Sequence, residues 1–212
     1  MTVLDLLALA VLTVVGLRLA EAARSSVDAR HNAIAVVRGL RWRHFGWALP
    51  MIALVIGTAA VLIQVPVLSF GWWSAIGGVG NPVIGVSSQE LGILDVIIPI
   101  FFLGLVVVAL PLLVAREEWV FRRGAERRGT LVNVGRSVAF GLAHAVIGIP
   151  IGAGLALSIG GLYLTGCYLR GWRETRSQAG GLLESTRAHL AYNVTILLLV
   201  GAALAVAFVF EG

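Results

Sequence analysis

Long apolar runs alternate along this chain with short segments that carry most of its charge. The runs approach the length of a helix that crosses a bilayer, which requires roughly 20 apolar residues. The two-residue alternation of a membrane β-barrel is weak. The pattern therefore predicts an all-α fold, a polytopic membrane helical bundle of about six transmembrane helices. The predicted spans are residues 3–17, 45–68, 91–115, 138–157, 153–169 and about 182–210, the fourth and fifth sharing a tight turn.

The basic residues divide the loops between these spans into two sets. All 16 are arginines, and they lie only in the first, third and fifth loops. Because positively charged loops stay in the cytoplasm, both termini are predicted to be external. We expect residues 1–90 to form two N-terminal transmembrane helices with an Arg-rich cytoplasmic linker, and residues 91–212 to form a functional core. Ala20-Glu21-Ala22 is similar to a signal-peptide cleavage site, but no basic segment precedes the first span, so we expect that helix to be retained.

The composition supports a membrane protein and narrows its function. Hydrophobic residues make up 58% of the chain and charged residues 13%, with a mean hydropathy of +0.94. The arginine loops explain the net charge of +5, so we expect no nucleic-acid partner. Cys167 is the only cysteine, which excludes a disulfide framework. Arginine without lysine, together with abundant alanine, glycine and valine, indicates a GC-rich genome and hence a bacterial cytoplasmic membrane.

Three short polar motifs lie at the end of the predicted third span and inside the predicted fourth and sixth spans. All three lie near Arg-rich loops and therefore near the same, cytoplasmic face of the membrane. Ionisable groups inside a membrane are costly, and by default they mark a functional site. The motifs contain, in chain order, Glu117, Glu118, Arg122, Phe140, His144, His189 and Asn193.

Helical spacing within the motifs separates the two glutamates. Glu118 and Arg122 are four residues apart with the acid first, which is the better order for an ion pair. Glu117 is rotated from Glu118 by about 100° around the helix, so we expect it to face the bundle interior. Glu117, His144 and His189 would then face one another across three helices in a polar cavity.

The three motifs, written EExxxR, FxxxH and HxxxN, together resemble those of the CPBP family, the CAAX protease and bacteriocin-processing (Abi) proteins. The resemblance covers residues from about 91 to 210 and includes Gly160-Gly161-Leu162-Tyr163 before the last motif. Residues 1–90 carry no signature of the family. The resemblance implies a glutamic-type intramembrane endopeptidase that hydrolyses a peptide bond of a membrane-associated protein or peptide.

The resemblance also implies a role for each motif residue. Glu117 would be the general base that activates water, and His144 would hold that water. His189 and Asn193 would donate hydrogen bonds to the tetrahedral oxyanion. Supporting residues, which orient the site, are Glu118, Arg122 and Phe140.

Two alternatives remain open at this stage. Glu117, His144 and His189 would also make an open catalytic zinc site, although we favour metal-free chemistry and no cofactor. A non-catalytic membrane scaffold or bacteriocin-immunity protein of the same fold is the other alternative, and the intact motifs weigh against it. A transporter is disfavoured because residues 1–90 and 91–212 show no inverted repeat.

Three further expectations concern residues outside the motifs. His31 and His44 lie in the Arg-rich linker, where we expect solvated loop residues. The polar segment 184–187 precedes the last motif, where the family usually has an apolar helix, so it is expected to make the mouth of the site polar and lipid-modified substrates less suitable. Gly152 and Gly154 predict close helix packing rather than a ligand-binding loop.

Overall fold

The computed structural model describes residues 27–75 and 93–211, together with isolated helical positions between residues 6 and 24. Across these described ranges all regular elements are helical and no strand occurs, which confirms the all-α prediction. The helices are α1 Val27–Arg38, α2 Trp42–Leu62, α3 Trp72–Ala75, α4 Ile93–Arg122, α5 Thr130–Ala143, α6 Ile151–Thr175 and α7 Gln178–Glu211, with 3₁₀ turns at Ala125–Arg127 and His144–Ile147.

Two of the described helices, α2 and α6, are long and apolar enough to cross a membrane. They correspond to the predicted second and fifth spans. The predicted first span and most of the predicted external loop lie outside the described residues. The total of about six transmembrane helices therefore stays a prediction.

Helix α6 lies at the centre of the bundle and packs against α2, α5 and α7. Small residues bring its backbone close to its neighbours. A Cβ on Gly154 would lie 3.1 Å from the Gly141 carbonyl oxygen of α5, and a Cβ on Gly152 would lie 3.1 Å from Leu62 Cβ of α2. Such spacing leaves no room for larger side chains. The predicted packing role of Gly152 and Gly154 is confirmed.

One narrow stripe of α2 faces the rest of the bundle. Its buried residues, His44, Ala48, Ile52 and Val55, recur every three or four positions and so lie on one side of the helix. The opposite side is also apolar but exposed, and Val61 for example is 68% accessible.

The bounds of the fourth predicted span, residues 138–157, are wrong, whereas the tight turn that it shares with the fifth span is confirmed. Helix α5 has 14 residues and ends at Ala143, after which the chain forms the 3₁₀ turn His144–Ile147. Gly148 then adopts a left-handed conformation with φ of 90°, and α6 begins after Pro150. The left-handed Gly148 and the proline two residues later keep α5 and α6 from forming one continuous helix. His144 consequently lies directly after the last residue of α5 rather than inside a longer helix.

Candidate active site

His189 of α7 lies between the two glutamates at the C-terminal end of α4. Its Nδ1 atom is 2.9 Å from Glu118 Oε1, and its Nε2 atom is 3.6 Å from Glu117 Oε2. A carboxylate oxygen only accepts hydrogen bonds, so the Nδ1 proton of His189 is directed to Glu118. The first and third polar motifs are therefore brought into direct contact, as their common position near one membrane face predicted.

Glu118 and Arg122 form the predicted ion pair, with 3.2 Å between Glu118 Oε1 and Arg122 Nη1. Both side chains are almost completely buried. Arg122 also lies over the Phe140 ring, with its guanidinium carbon 4.0 Å from the ring centroid, and donates to the Gly161 carbonyl at 3.4 Å. A buried ion pair requires such additional contacts to offset the loss of hydration.

The expectation that Glu117 faces the bundle interior needs correction. Glu118 is the buried member of the pair, whereas the Glu117 side chain is 37% accessible. The reason is the buried stripe of α4, in which Leu110, Val114, Glu118 and Arg122 follow one another at four-residue intervals. Glu117 lies at the edge of this stripe, from which its carboxylate still reaches His189.

Phe140 and His144 bring the second motif to the same place. The Phe140 ring contacts both imidazoles edge-on, with centroid distances of 4.9 Å to His144 and 5.6 Å to His189. His144 Nδ1 is 2.9 Å from the Phe140 carbonyl oxygen, which only accepts, so Nδ1 carries a proton. In the neutral ring, Nε2 of His144 is then available to accept a hydrogen bond.

A cavity of about 230 Å³ opens beside these groups. Four predicted site residues line it: Phe140, His144, His189 and Asn193. The remaining lining is largely apolar. Glu117 does not line the cavity, and its contact with the site is the 3.6 Å approach to His189 Nε2. The arrangement places two oriented imidazoles and a carboxamide around a space that a substrate group can occupy, with the partly accessible carboxylate of Glu117 beside His189.

The alternative zinc site is not assembled. Within the part of the chain that the structure describes, which includes Glu117, His144 and His189, no three His, Cys, Asp or Glu side chains are grouped so that they could hold a metal ion. Residues on three separate helices must converge on one point to bind zinc at about 2.0–2.2 Å. The donor atoms present therefore do not fit a resident zinc ion.

Two other sequence-based expectations are corrected by burial. His44 is not a solvated loop residue, because it lies in the first turn of α2 with only 4% of its side chain accessible. The segment 184–187 does not form an exposed polar mouth, since Glu184, Ser185 and Thr186 are all buried. Glu184 instead binds Arg43 Nη2 at 2.8 Å, a contact across 141 positions that local patterns do not indicate.

Tyr192, which was not predicted as a site residue, also lines the cavity. Tyr192 follows His189 by three residues and so lies on nearly the same face of α7. This spacing could have identified it as a site residue from the sequence. Tyr192 packs against Ala48 and Ile52 of α2, so it links the cavity to the N-terminal half of the bundle.

No protein-family model, no curated protein and no solved structure matches this chain.

Proposed function

We propose that this chain is an intramembrane endopeptidase that cleaves a membrane-associated protein or peptide with water activated by Glu117. One observation supports the proposal above all others. His189 lies between Glu117 and Glu118 at a cavity that His144 and Asn193 also line. The resemblance of the three motifs to those of the CPBP family supplies the reaction class.

The two glutamates are suited to different tasks. Glu118 Oε1 is engaged by Arg122 and His189, and the residue is buried, so it orients the histidine. Glu117 is partly accessible and has no comparable ion pair to an arginine in the described structure. It is therefore the carboxylate that can take a proton from an incoming water molecule. A positioned general base contributes a factor of about 10²–10⁴ to the rate.

The other motif residues surround the position of the reacting carbonyl. Nε2 of neutral His144 can accept a hydrogen bond from the attacking water. His189 and Asn193 are four residues apart on α7 and line the same cavity, so both can donate to an oxyanion. His189 donates from Nε2 only when its ring is doubly protonated, because its Nδ1 proton is directed to Glu118. One such donor is worth about 10²–10³ in rate.

The membrane setting of this proposal is supported by the surface of α2. An apolar helix that exposes most of its side chains is unfavourable in water and stable against lipid. Together with the arginine distribution, this supports a bundle of about six transmembrane helices with both termini external. The active site would face the cytoplasmic side of a bacterial cytoplasmic membrane.

Replacement of the general base tests the function. We expect Glu117→Gln to lower cleavage by about 10²–10⁴ while the protein stays folded, because a carboxamide cannot take up the proton. The matched control is Glu174→Gln, which removes an exposed carboxylate of α6 that lies in a surface ion pair with Arg170.

Cleavage is measured as new protein termini, identified by mass spectrometry in membranes of cells that express each variant. The proposal is supported by termini that appear in cells expressing the wild type or Glu174→Gln but not in cells expressing Glu117→Gln. Identical termini with Glu117→Gln would show that Glu117 is not the base. If wild-type cells and cells lacking the protein have the same termini, the non-catalytic scaffold is the better assignment.

A further inference from the structure

A second cavity, of about 360 Å³, lies at the N-terminal end of α2. Its polar and aromatic lining comes from α2, α6 and α7 and shares no residue with the candidate active site. The lining includes Arg43, His44, Trp47, Tyr163, Arg170 and Glu184. Because the two cavities share no lining residue, this one is a separate site, although its Tyr163 and Cys167 pack against the core cluster that contains Phe140.

Hydrogen-bond donors are in excess at this cavity. Glu184 Oε1 accepts from Arg43 Nη2 at 2.8 Å and lies 3.4 Å from His44 Nε2. Arg43 Nε and His44 Nε2 are both buried, and neither has a hydrogen-bond partner among the residues that the structure describes. Buried donors are nearly always paired in folded proteins, so these two indicate that an acceptor from a ligand belongs here.

The orientation of His44 makes its Nε2 atom a donor. The backbone N–H of Arg41 donates to His44 Nδ1 at 3.0 Å, which closes the cap of α2. Because Nδ1 is the acceptor of that bond, neutral His44 carries its proton on Nε2. The buried ring is thereby held with its Nε2–H at the cavity, 3.4 Å from Glu184 Oε1 but without the geometry of a hydrogen bond to it.

Charge and shape favour an oxygen-rich anion as the ligand. Two guanidinium groups, Arg43 and Arg170, line the cavity together with a single carboxylate, Glu184, which binds Arg43 Nη2. Arg170 binds the half-exposed Glu174, which lies outside the lining, so the lining itself carries one more positive than negative group. The N-terminus of α2 adds the positive end of a helix dipole. Guanidinium groups match phosphate oxygens in geometry as well as in charge.

We propose that this cavity binds the phosphate of an anionic phospholipid headgroup. A lipid is favoured over a soluble phosphate because Trp47 lines the cavity and is exposed, next to the apolar outer side of α2 along which acyl chains can lie. The proposal requires membrane association but not proteolysis, so the two can fail independently.

The test uses the full-length protein in a neutral detergent, titrated with phosphatidylglycerol, phosphatidylcholine or inorganic phosphate, with bound ligand counted by native mass spectrometry. Loss of one charge-assisted contact in Arg170→Gln is expected to weaken phosphatidylglycerol binding about tenfold. Arg170 is half-exposed, so this variant should fold, and circular dichroism verifies that it does. The matched control is Arg173→Gln, an exposed arginine of the same helix outside the lining, which should change binding less than about twofold.

A second variant tests the buried donors without leaving an unpaired charge. The double substitution Arg43→Gln with Glu184→Gln removes both members of the ion pair and should also weaken phosphatidylglycerol binding. Equal binding by wild type, Arg170→Gln and the double variant would overturn the proposal. Displacement of the lipid by inorganic phosphate at similar concentration would overturn the lipid assignment and identify a soluble phosphate as the ligand. Equal affinity for phosphatidylcholine would overturn the requirement for an anionic headgroup.

Discussion

Glu117 and Glu118 are adjacent in the chain but have opposite environments. Glu118 is buried beside Arg122 and His189, whereas Glu117 is partly accessible at the edge of the same contact. Burial of a carboxylate is tolerated only where opposite charge and hydrogen bonds replace water. The two residues should therefore respond differently to substitution, Glu117 mainly in activity and Glu118 mainly in stability.

The buried ion pair provides a stability prediction at the residue scale. Arg122→Gln should destabilise the protein by about 3–5 kcal/mol, because it leaves the Glu118 carboxylate buried without its cation. The double substitution Glu118→Gln with Arg122→Gln should lower the free energy of unfolding less than Arg122→Gln alone, because it leaves no unpaired buried charge. The measurement is the free energy of unfolding in mixed detergent micelles.

The control for this prediction is Glu174→Gln, which breaks the exposed pair between Arg170 and Glu174 and should cost at most about 1 kcal/mol. Equal losses of stability in Arg122→Gln and Glu174→Gln would contradict the prediction that the buried ion pair matters more than the exposed one.

At the scale of single elements, the closest approach of α5 and α6 is at Gly141. A Cβ on Gly141 would meet the Gly154 carbonyl oxygen and would lie 2.6 Å from Ser158 N, both of them atoms of α6. Backbone atoms cannot move aside as a flexible side chain can, so the two helices would have to separate. Their separation would also move His144, which follows directly at the end of α5.

Gly141→Ala should therefore destabilise the protein by about 1–3 kcal/mol through overpacking. Gly135 lies on the same helix with nothing within 4 Å of the position of a Cβ. Gly135→Ala should be neutral or stabilise the protein by up to about 1 kcal/mol, because alanine favours the helix. Thermal unfolding of both variants in detergent is the measurement, and a Gly141→Ala variant as stable as Gly135→Ala would show that the crossing is not tight.

The loop after α4 is held by the carboxylate of Glu126, whose side chain is only 4% accessible. Tyr168 donates to Glu126 Oε2 at 2.7 Å, and Gln178 donates to Oε1 at 2.9 Å. Burial acts to raise the pKa of Glu126, but the hydrogen bonds from Tyr168 and Gln178 outweigh it and hold the pKa below its ordinary value of 4.5. The charged carboxylate thus ties the loop to α6 and α7.

This lowered pKa predicts an acid-sensitive contribution to stability. Above pH 4.5 the carboxylate is charged in both states and its contribution is fully present. As the pH falls below 4.5, the unfolded chain takes up the proton first, so the contribution is lost as the pH approaches the folded pKa. The stability difference between wild type and Glu126→Gln should therefore be larger at pH 7 than at pH 3. A difference that is independent of pH would exclude a charged Glu126 as the cause.

At the scale of the whole molecule, local spacing predicted contacts within one helix or one motif. The four-residue interval predicted the ion pair of Glu118 and Arg122, and the common membrane face predicted that His189 would meet the α4 glutamates. The rotation of α4 within the bundle was not predictable, because nearly every side of that helix is apolar. The burial of His44 was not predictable either, because it involves Glu184, which is distant in the sequence and approaches α2 only in the folded structure.

The topology of the whole chain supplies the last prediction. The second loop should be external and the third cytoplasmic, because arginines occur only in the latter. In a Cys167→Ala background, Val67→Cys and Arg127→Cys place single thiols at exposed positions after α2 and after α4. A membrane-impermeant maleimide added to intact spheroplasts should label Val67→Cys at once and Arg127→Cys only after the membrane is permeabilised. Labelling of both thiols in intact spheroplasts would exclude a cytoplasmic third loop. It would also exclude the cytoplasmic position proposed for the candidate active site, because Glu117 and Arg127 lie at the same end of α4.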